Sequence, residues 1–443
     1  MSTFVTIPRS SSRRLGVHRL SKLCVCLAAA CCAVGTLAAP LASGSVFDLT
    51  VNVGGSYNAA NDSISGGLSS ATLGVRTVSE MFDSTDRTRL NAINGSYSDQ
   101  SASVIRLGYR GLPIVLTTSA GSPAVTMLIP GLDVAQVFNA KSTRDDNVRD
   151  IREFLKSSGG DLLNRLQQLL AKTSPVDPIA GNPTSMQSRM VGDDFDRNFT
   201  QQATNIKAEP GLGLTSSNNL IGVGASFGSF TQGGVTSKVV TLPLSYTSRS
   251  DIDPRRQLTI YAPVTVSDVA GAKSYGVNFG AAYRIPVNDE WALSPAVGYG
   301  VAGSVDLGSA AAMMAASLTS QYTVRRDGYD IAIGNMIGVY QSSKFSAGGY
   351  SFDPKIRNTV LRNGVMVSVP ITLMGSRLAY EVSLINTQYS GTSLYSRSYN
   401  EVGLTLGTNK GANSARSYLR AGLTYLTGQN GIRGSRVNVG YWF

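Results

Sequence analysis

From about residue 212 to its end the chain keeps alternating between large apolar and small polar positions. Trp291, Leu293, Pro295, Val297, Tyr299 and Val301 interleave with Ala292, Ser294, Ala296, Gly298, Gly300 and Ala302. Tyr275, Val277, Phe279, Ala281, Tyr283 and Ile285 interleave in the same way with Ser274, Gly276, Asn278, Gly280, Ala282 and Arg284. The alternation returns at Leu378/Tyr380/Val382/Leu384, at Val402/Leu404/Leu406 and at Leu419/Ala421/Leu423/Tyr425. A period of two is the pleat of a β-strand, with successive side chains on opposite faces. Turn-forming runs such as Asn288-Asp289-Glu290, Arg326-Asp327-Gly328 and Gly428-Gln429-Asn430-Gly431 separate the segments. Twelve segments follow, beginning near residues 219, 235, 256, 272, 290, 309, 328, 358, 377, 398, 415 and 433. Crossing a bilayer takes about 9–11 residues of tilted strand, and this spacing fits such strands joined by short turns. The longest loop predicted spans Lys344 to Lys355.

The second face of these strands decides between a soluble and a membrane barrel. A water-facing sheet would present Lys, Glu and Thr there. Here the face is Gly, Ala, Ser, Thr and Asn, which suits a lumen, and the large apolar set is left to face lipid. Charges on the small-residue face are then lumenal, because a charge held toward lipid at mid-depth costs about 2–4 kcal/mol. The lumen candidates are Arg284, Asp330, Glu381, Glu401, Arg420 and Arg436. Glu381, Glu401 and Arg420 fall on three successive predicted strands, where an ion-pair ladder is expected.

Before residue 212 the grammar changes. Residues 43–211 carry 15 Lys/Arg against 17 Asp/Glu, whereas residues 212–443 carry 19 against 11. Of the 19 Tyr, 16 lie in the second half, with both Trp. Strands are predicted over Val46–Val53, Ala71–Arg76, Arg89–Tyr97, Ser103–Gly108, Leu112–Ser119 and Ala124–Pro130. Two amphipathic helices follow, one with Val148, Ile151, Phe154 and Leu155 on a face, the other with Leu162, Leu163, Leu166, Leu169 and Leu170. Gly159-Gly160 between them predicts an αα-hairpin. Residues 174–217, rich in Pro, Asn and Asp, read as a linker, with a short helix around Phe195–Ile206 that can enter the barrel.

The first 42 residues alter the chemistry available. Arg9, Arg13, Arg14, Arg19 and Lys22 precede an apolar run from Leu23 to Leu37 and then small residues, the layout of a secretory signal peptide. All four cysteines (Cys24, Cys26, Cys31, Cys32) and the only histidine, His18, lie inside it. The exported chain is therefore expected to lack thiol and imidazole, which excludes disulfides, thiolate metal sites and Ser-His or Cys-His catalysis. No catalytic, cofactor-binding or metal residues are assigned and no cofactor is expected. The net charge of +11 falls to +6 without the leader, with no concentrated basic face for nucleic acid.

Two motifs are set aside. Gly224-Ala225-Ser226-Phe227-Gly228 matches the G-x-S-x-G nucleophile elbow but lies within a β segment. Asp193-Asp194-Phe195-Asp196-Arg197-Asn198 has calcium-like donors but lacks the glycine and distal glutamate of a binding loop, and reads as solvated linker.

The final strand carries a family resemblance. Phe443, with Tyr441, Val439 and Val437 at every second position before it, resembles the signal read by the outer-membrane barrel-assembly machinery. With about twelve strands behind a leader and a separate N-terminal region, residues 212–443 resemble an autotransporter translocator domain. The fold class expected is mainly β: residues 218–443 a transmembrane antiparallel barrel, residues 43–173 a small α+β domain, residues 174–217 a linker, residues 1–42 the leader. The resemblance implies an outer-membrane location, with lipid, the assembly machinery and periplasmic chaperones as partners, and a barrel that carries or displays its own N-terminal domain, which would meet a surface or envelope protein. Asn218-Asn219 is similar to the asparagine pair at which some autotransporters cut themselves, but it abuts the first strand. The alternative is a pore whose N-terminal domain stays periplasmic as a gate or dock.

Overall fold

The computed structural model describes residues 45–442 except 158, 200–218, 254, 348–349, 374 and 409–417. The leader, Asn218 and Phe443 therefore lie outside the described residues.

The N-terminal region builds one antiparallel sheet of six strands: β1 (Phe47–Asn58), β2 (Ser63–Val75), β3 (Ser103–Tyr109), β4 (Leu112–Thr118), β5 (Val125–Ile129) and β6 (Val134–Phe138). Their order across the sheet is β2-β1-β3-β4-β5-β6. Alternate residues Leu49, Val51, Ile105, Leu107, Ile114 and Leu116 are buried in its core. Helices α1 (Val78–Asp83) and α2 (Arg87–Ile93) join β2 to β3, and α3 (Arg144–Ser157) and α4 (Gly159–Thr173) form the hairpin after β6. Ile151, Leu166 and Leu170 bury their faces in the same core.

The strand expected over Arg89–Tyr97 is instead α2. Asp86 accepts from the Arg89 N–H at 2.9 Å as an N-cap, and Leu90 and Ile93, three apart, turn inward together. A local cap and a period near 3.6 outcompeted the β-branched content that suggested a strand. Helix α1 and strand β6 were not anticipated.

The second half is a closed barrel. Its twelve strands are β7 (Leu220–Gln232), β8 (Val235–Leu242 continued by Leu244–Arg249), β9 (Gln257–Tyr261 continued by Val264–Val269), β10 (Ala272–Pro286), β11 (Trp291–Ser304), β12 (Ser309–Arg326), β13 (Tyr329–Ser343), β14 (Arg357–Leu373), β15 (Ser376–Gly391), β16 (Ser398–Thr408), β17 (Tyr418–Gly428) and β18 (Arg433–Trp442). Each pairs antiparallel with the next, and β18 returns to β7 in a register running from Arg433↔Thr231 to Trp442↔Gly222. Strands β8 and β9 are each broken at a proline, Pro243 and Pro263, which has no N–H for the ladder.

Parity holds along the wall. Phe227, Leu404 and Leu423 are 54%, 55% and 52% exposed, while Ala296, Ala315, Ala332 and Ala379 on the other parity are buried. A continuous ring of exposed Leu, Ile, Val and Tyr is a lipid-facing surface, not a water-facing one.

Residues 174–199 are the described part of the segment read as a linker with a helix able to enter the barrel. Residues 174–199 are almost wholly buried, and Met186–Phe199 form helix α5 inside the barrel. The Asp193–Asn198 run, taken as solvated linker, is thus part of a buried helix. The helix begins earlier than the sequence pattern placed it.

The N-terminal domain sits on the barrel rim made by the turns after β7, β9, β11, β13 and β15. Val78 N donates to Asp306 O at 2.8 Å, Tyr109 Oη to Leu307 O at 3.0 Å, and Asp353 N to Asn164 Oδ1 at 2.7 Å. Leu220 and Trp442, the first and last residues of the strand ring, lie at the opposite rim.

Candidate functional site

The candidate site is the lumen with its plug. Segment 174–185 enters beneath the domain: Tyr395 N donates to Ala171 O at 2.8 Å and Ser396 N to Gly181 O at 2.9 Å. Helix α5 then crosses the interior. The small inward residues that marked a lumen in the sequence are what admit it. A Cβ on Gly334 would lie 2.5 Å from the Phe199 ring, and one on Gly364 2.9 Å from Phe199 and 3.1 Å from Phe195. The two phenyl rings pack at 4.9 Å between centroids.

Polar contacts fix the helix to the wall. The Asp194 carboxylate accepts from Tyr261 Oη at 2.5 Å, Tyr340 Oη at 2.7 Å and Ser317 Oγ at 3.3 Å. The Arg197 guanidinium lies 3.7 Å above the Tyr261 ring. Gln187 Nε2 donates to Asn358 Oδ1 at 2.9 Å, and Tyr389 Oη to Ser188 Oγ at 3.2 Å. Arg362 joins Glu401 at 2.7 Å and Asp196 at 3.4 Å, and Arg436 reaches the same two carboxylates at 3.5 and 3.4 Å. Beside the helix a cleft of about 160 Å³ remains, lined among others by Arg189, Asp193, Arg420, Arg436 and Trp442.

The six lumen charges named from the sequence separate into two ion-paired clusters and two residues that lie apart from them. Glu381 pairs with Arg420, whose Nη1 is 3.2 Å from its Oε1. Glu401 does not join that pair; it binds Arg362 and Arg436 instead, so the expected single ladder is two clusters. Arg284 is buried and donates to Gln321 Oε1 at 2.8 Å, while Asp330 sits half-buried near the β12–β13 turn. Of the terminal set, Val437, Val439 and Tyr441 face outward at 46%, 42% and 42% exposure; Phe443 lies outside the described residues.

Arg362 and the Asp194–Tyr261–Tyr340 group were missed. Arg362 shares parity with Gly364 along β14, so counting by two from the outward Leu361 would have turned it inward. Tyr261, Tyr340, Tyr389 and Tyr399 are buried and face the plug. G-x-S-x-G at 224–228 lies within β7. Among the described residues no group of three or more metal-ligating side chains is gathered. Among the described residues, the lumen is occupied by residues 174–199.

No protein-family model and no curated protein matches the chain. Among solved structures the chain is similar to the β-domain of the Bordetella autotransporter BrkA, at 15% identity over 51% of this chain and 98% of that one, with a TM-score of 0.40. The translocator domain of the autotransporter NalP from Neisseria meningitidis matches at 14% over 58% and 95%, with a TM-score of 0.39. The barrel resembles these translocator domains. The KdgM porin matches at 13% over 50% and 98%, with a TM-score of 0.29.

Proposed function

We propose that this chain is an exported outer-membrane protein of the autotransporter kind, whose barrel holds its own N-terminal domain at the cell surface on a tether seated in the lumen. One observation carries the reading. The domain sits at one rim, the strand ring begins and ends at the other, and the described chain between them lies inside the barrel. A domain that remained periplasmic as a gate would need no such passage if the barrel's two ends are periplasmic. Outer-membrane barrels keep short turns on the periplasmic side and longer loops outside. The longest connection between barrel strands, residues 344–356, is at the domain rim, which favours the same orientation. The seated helix accounts for the small lumen residues, and the assembly machinery and periplasmic chaperones are the partners such a barrel requires.

Protease added to intact cells tests this directly. Display predicts digestion of residues 45–173 while the barrel stays protected and heat-modifiable on gels. Digestion only after the outer membrane is permeabilised would overturn display and favour the pore with a periplasmic domain.

A further inference from the structure

Four asparagines interrupt the apolar pattern of the outer wall along one line of register partners. Asn335 on β13, Asn363 on β14, Asn386 on β15 and Asn400 on β16 are direct register partners, Asn335↔Asn363↔Asn386↔Asn400. All four have outward parity, and Asn335 and Asn363 are exposed. Because barrel strands are tilted, a line of register partners climbs across the wall. Asn400 lies two residues from the domain-side end of its strand, whereas Asn335 and Asn363 are set among Ile333, Ile337, Leu361 and Val365, exposed or outward neighbours at mid-strand.

The upper pair is satisfied. Asn386 Nδ2 donates to Asn400 Oδ1 at 2.7 Å and its Oδ1 accepts from Gln388 at 3.0 Å. Among the described residues Asn335 and Asn363 make no side-chain hydrogen bond. Acyl chains offer neither donor nor acceptor, so two adjacent free carboxamides at mid-wall are costly in a lipid-exposed monomer.

We propose that this line is the intramembrane contact of a homodimer, with a second copy of this chain as the occupant. A carboxamide donates and accepts at once, so the surface is complementary to itself. A twofold axis along the membrane normal that passes beside Asn363 brings that residue opposite its own counterpart at equal depth, where Asn363 can exchange hydrogen bonds with the partner's Asn363. The flanking Ile and Leu side chains close the contact by packing. The inference rests on the lipid-facing reading of the wall.

Oxidative cross-linking of the full chain in native membranes tests it. Asn363→Cys is expected to trap a dimer, and Val240→Cys, exposed six strands round the ring on β8, is not; the unsubstituted chain controls for Cys24, Cys26, Cys31 and Cys32. In nanodiscs the double variant Asn335→Leu/Asn363→Leu should stay heat-modifiable yet dimerise about tenfold more weakly. Equal trapping at both positions, trapping at neither, or undiminished association of the double variant overturns the dimer. A chain released from membranes without detergent would instead defeat the lipid-facing reading beneath it.

Discussion

Arg110 donates to Asp177 across 2.9 Å with both side chains fully enclosed. The two residues belong to different parts of the molecule. Arg110 lies in the β3–β4 turn of the N-terminal sheet, and Asp177 in the turn that leads the chain into the lumen. The Asp177 carboxylate also accepts from the N–H groups of Ile179 and Ala180 at 3.1 Å each. One carboxylate thus shapes the tether's first turn and clamps it to the domain.

Breaking such a pair from one side leaves an uncompensated charge out of water, which costs about 3–5 kcal/mol, while apolar replacement of both partners is much milder. Arg110→Met is expected to loosen the domain from the tether, read as an earlier thermal transition and faster cleavage near residue 177 in the purified full chain. Arg110→Met/Asp177→Leu should recover part of the loss. A double variant as damaged as the single one would mean that the pair is not the clamp.

Asp194 is the corresponding anchor inside the barrel. Three hydroxyl donors hold one carboxylate, and hydrogen bonds to a charged group are worth about 1.5–3 kcal/mol each. Asp194→Leu removes all three at once and leaves Tyr261 and Tyr340 unpaired. In planar bilayers the variant is expected to open more often and to larger conductance than the unaltered protein, with Tyr340→Phe giving a smaller effect in the same direction. Unchanged conductance in both would show that the plug is held by packing alone.

The barrel was legible in the sequence because its physics is periodic. An outward and an inward face alternate every residue for twelve strands, and observed strand starts such as 235, 272, 309, 398 and 433 coincide with the expected ones. What was not legible is what the inward face meets. Parity places Glu381 and Glu401 in the lumen but cannot say that Glu401 pairs with Arg362 rather than Arg420, because that depends on the tilt of the strands and on a helix lying between them. Residues 174–199 misled for a related reason. Pro175, Pro178, Asp193, Asp194 and Asp196 read as solvated when taken alone, and become interior only because the barrel supplies Tyr, Asn and Arg partners from strands far along the chain. In the N-terminal domain a seven-residue helix capped by Asp86 was too short for its period to outweigh neighbouring β-formers.

Two glycine substitutions should separate plug seating from barrel folding. Gly334→Val places side-chain atoms where the Phe199 ring now lies, 2.5 Å from an added Cβ, and overpacking of that kind costs about 1–3 kcal/mol. The barrel is expected to remain heat-modifiable while Met190→Cys, added as a reporter, becomes open to a thiol reagent. Gly192→Ala sits on the plug helix with nothing within 4 Å of its added Cβ. It should leave the reporter protected and steady the helix by about 0.5–1 kcal/mol. Equal labelling of the two variants would argue that Phe199 does not seat the helix.

Acid dependence of the N-terminal domain should trace to Asp48. Burial raises its carboxyl above the ordinary value, Arg106 at 3.2 Å works in the opposite direction, and Asp62, bound to the same guanidinium, raises it further. Burial is the larger effect, so the folded domain favours the neutral acid. A group raised in this way contributes stability that is complete below its unfolded value of about 3.9 and is lost as pH climbs through the folded one. Asp48→Asn is neutral at every pH and keeps the side-chain shape. The unaltered protein should therefore lose thermal stability relative to Asp48→Asn between about pH 4 and neutrality, followed by near-ultraviolet circular dichroism of the full chain. If it gained stability over that interval instead, the Arg106 ion pair would outweigh burial and the carboxylate would be the favoured form.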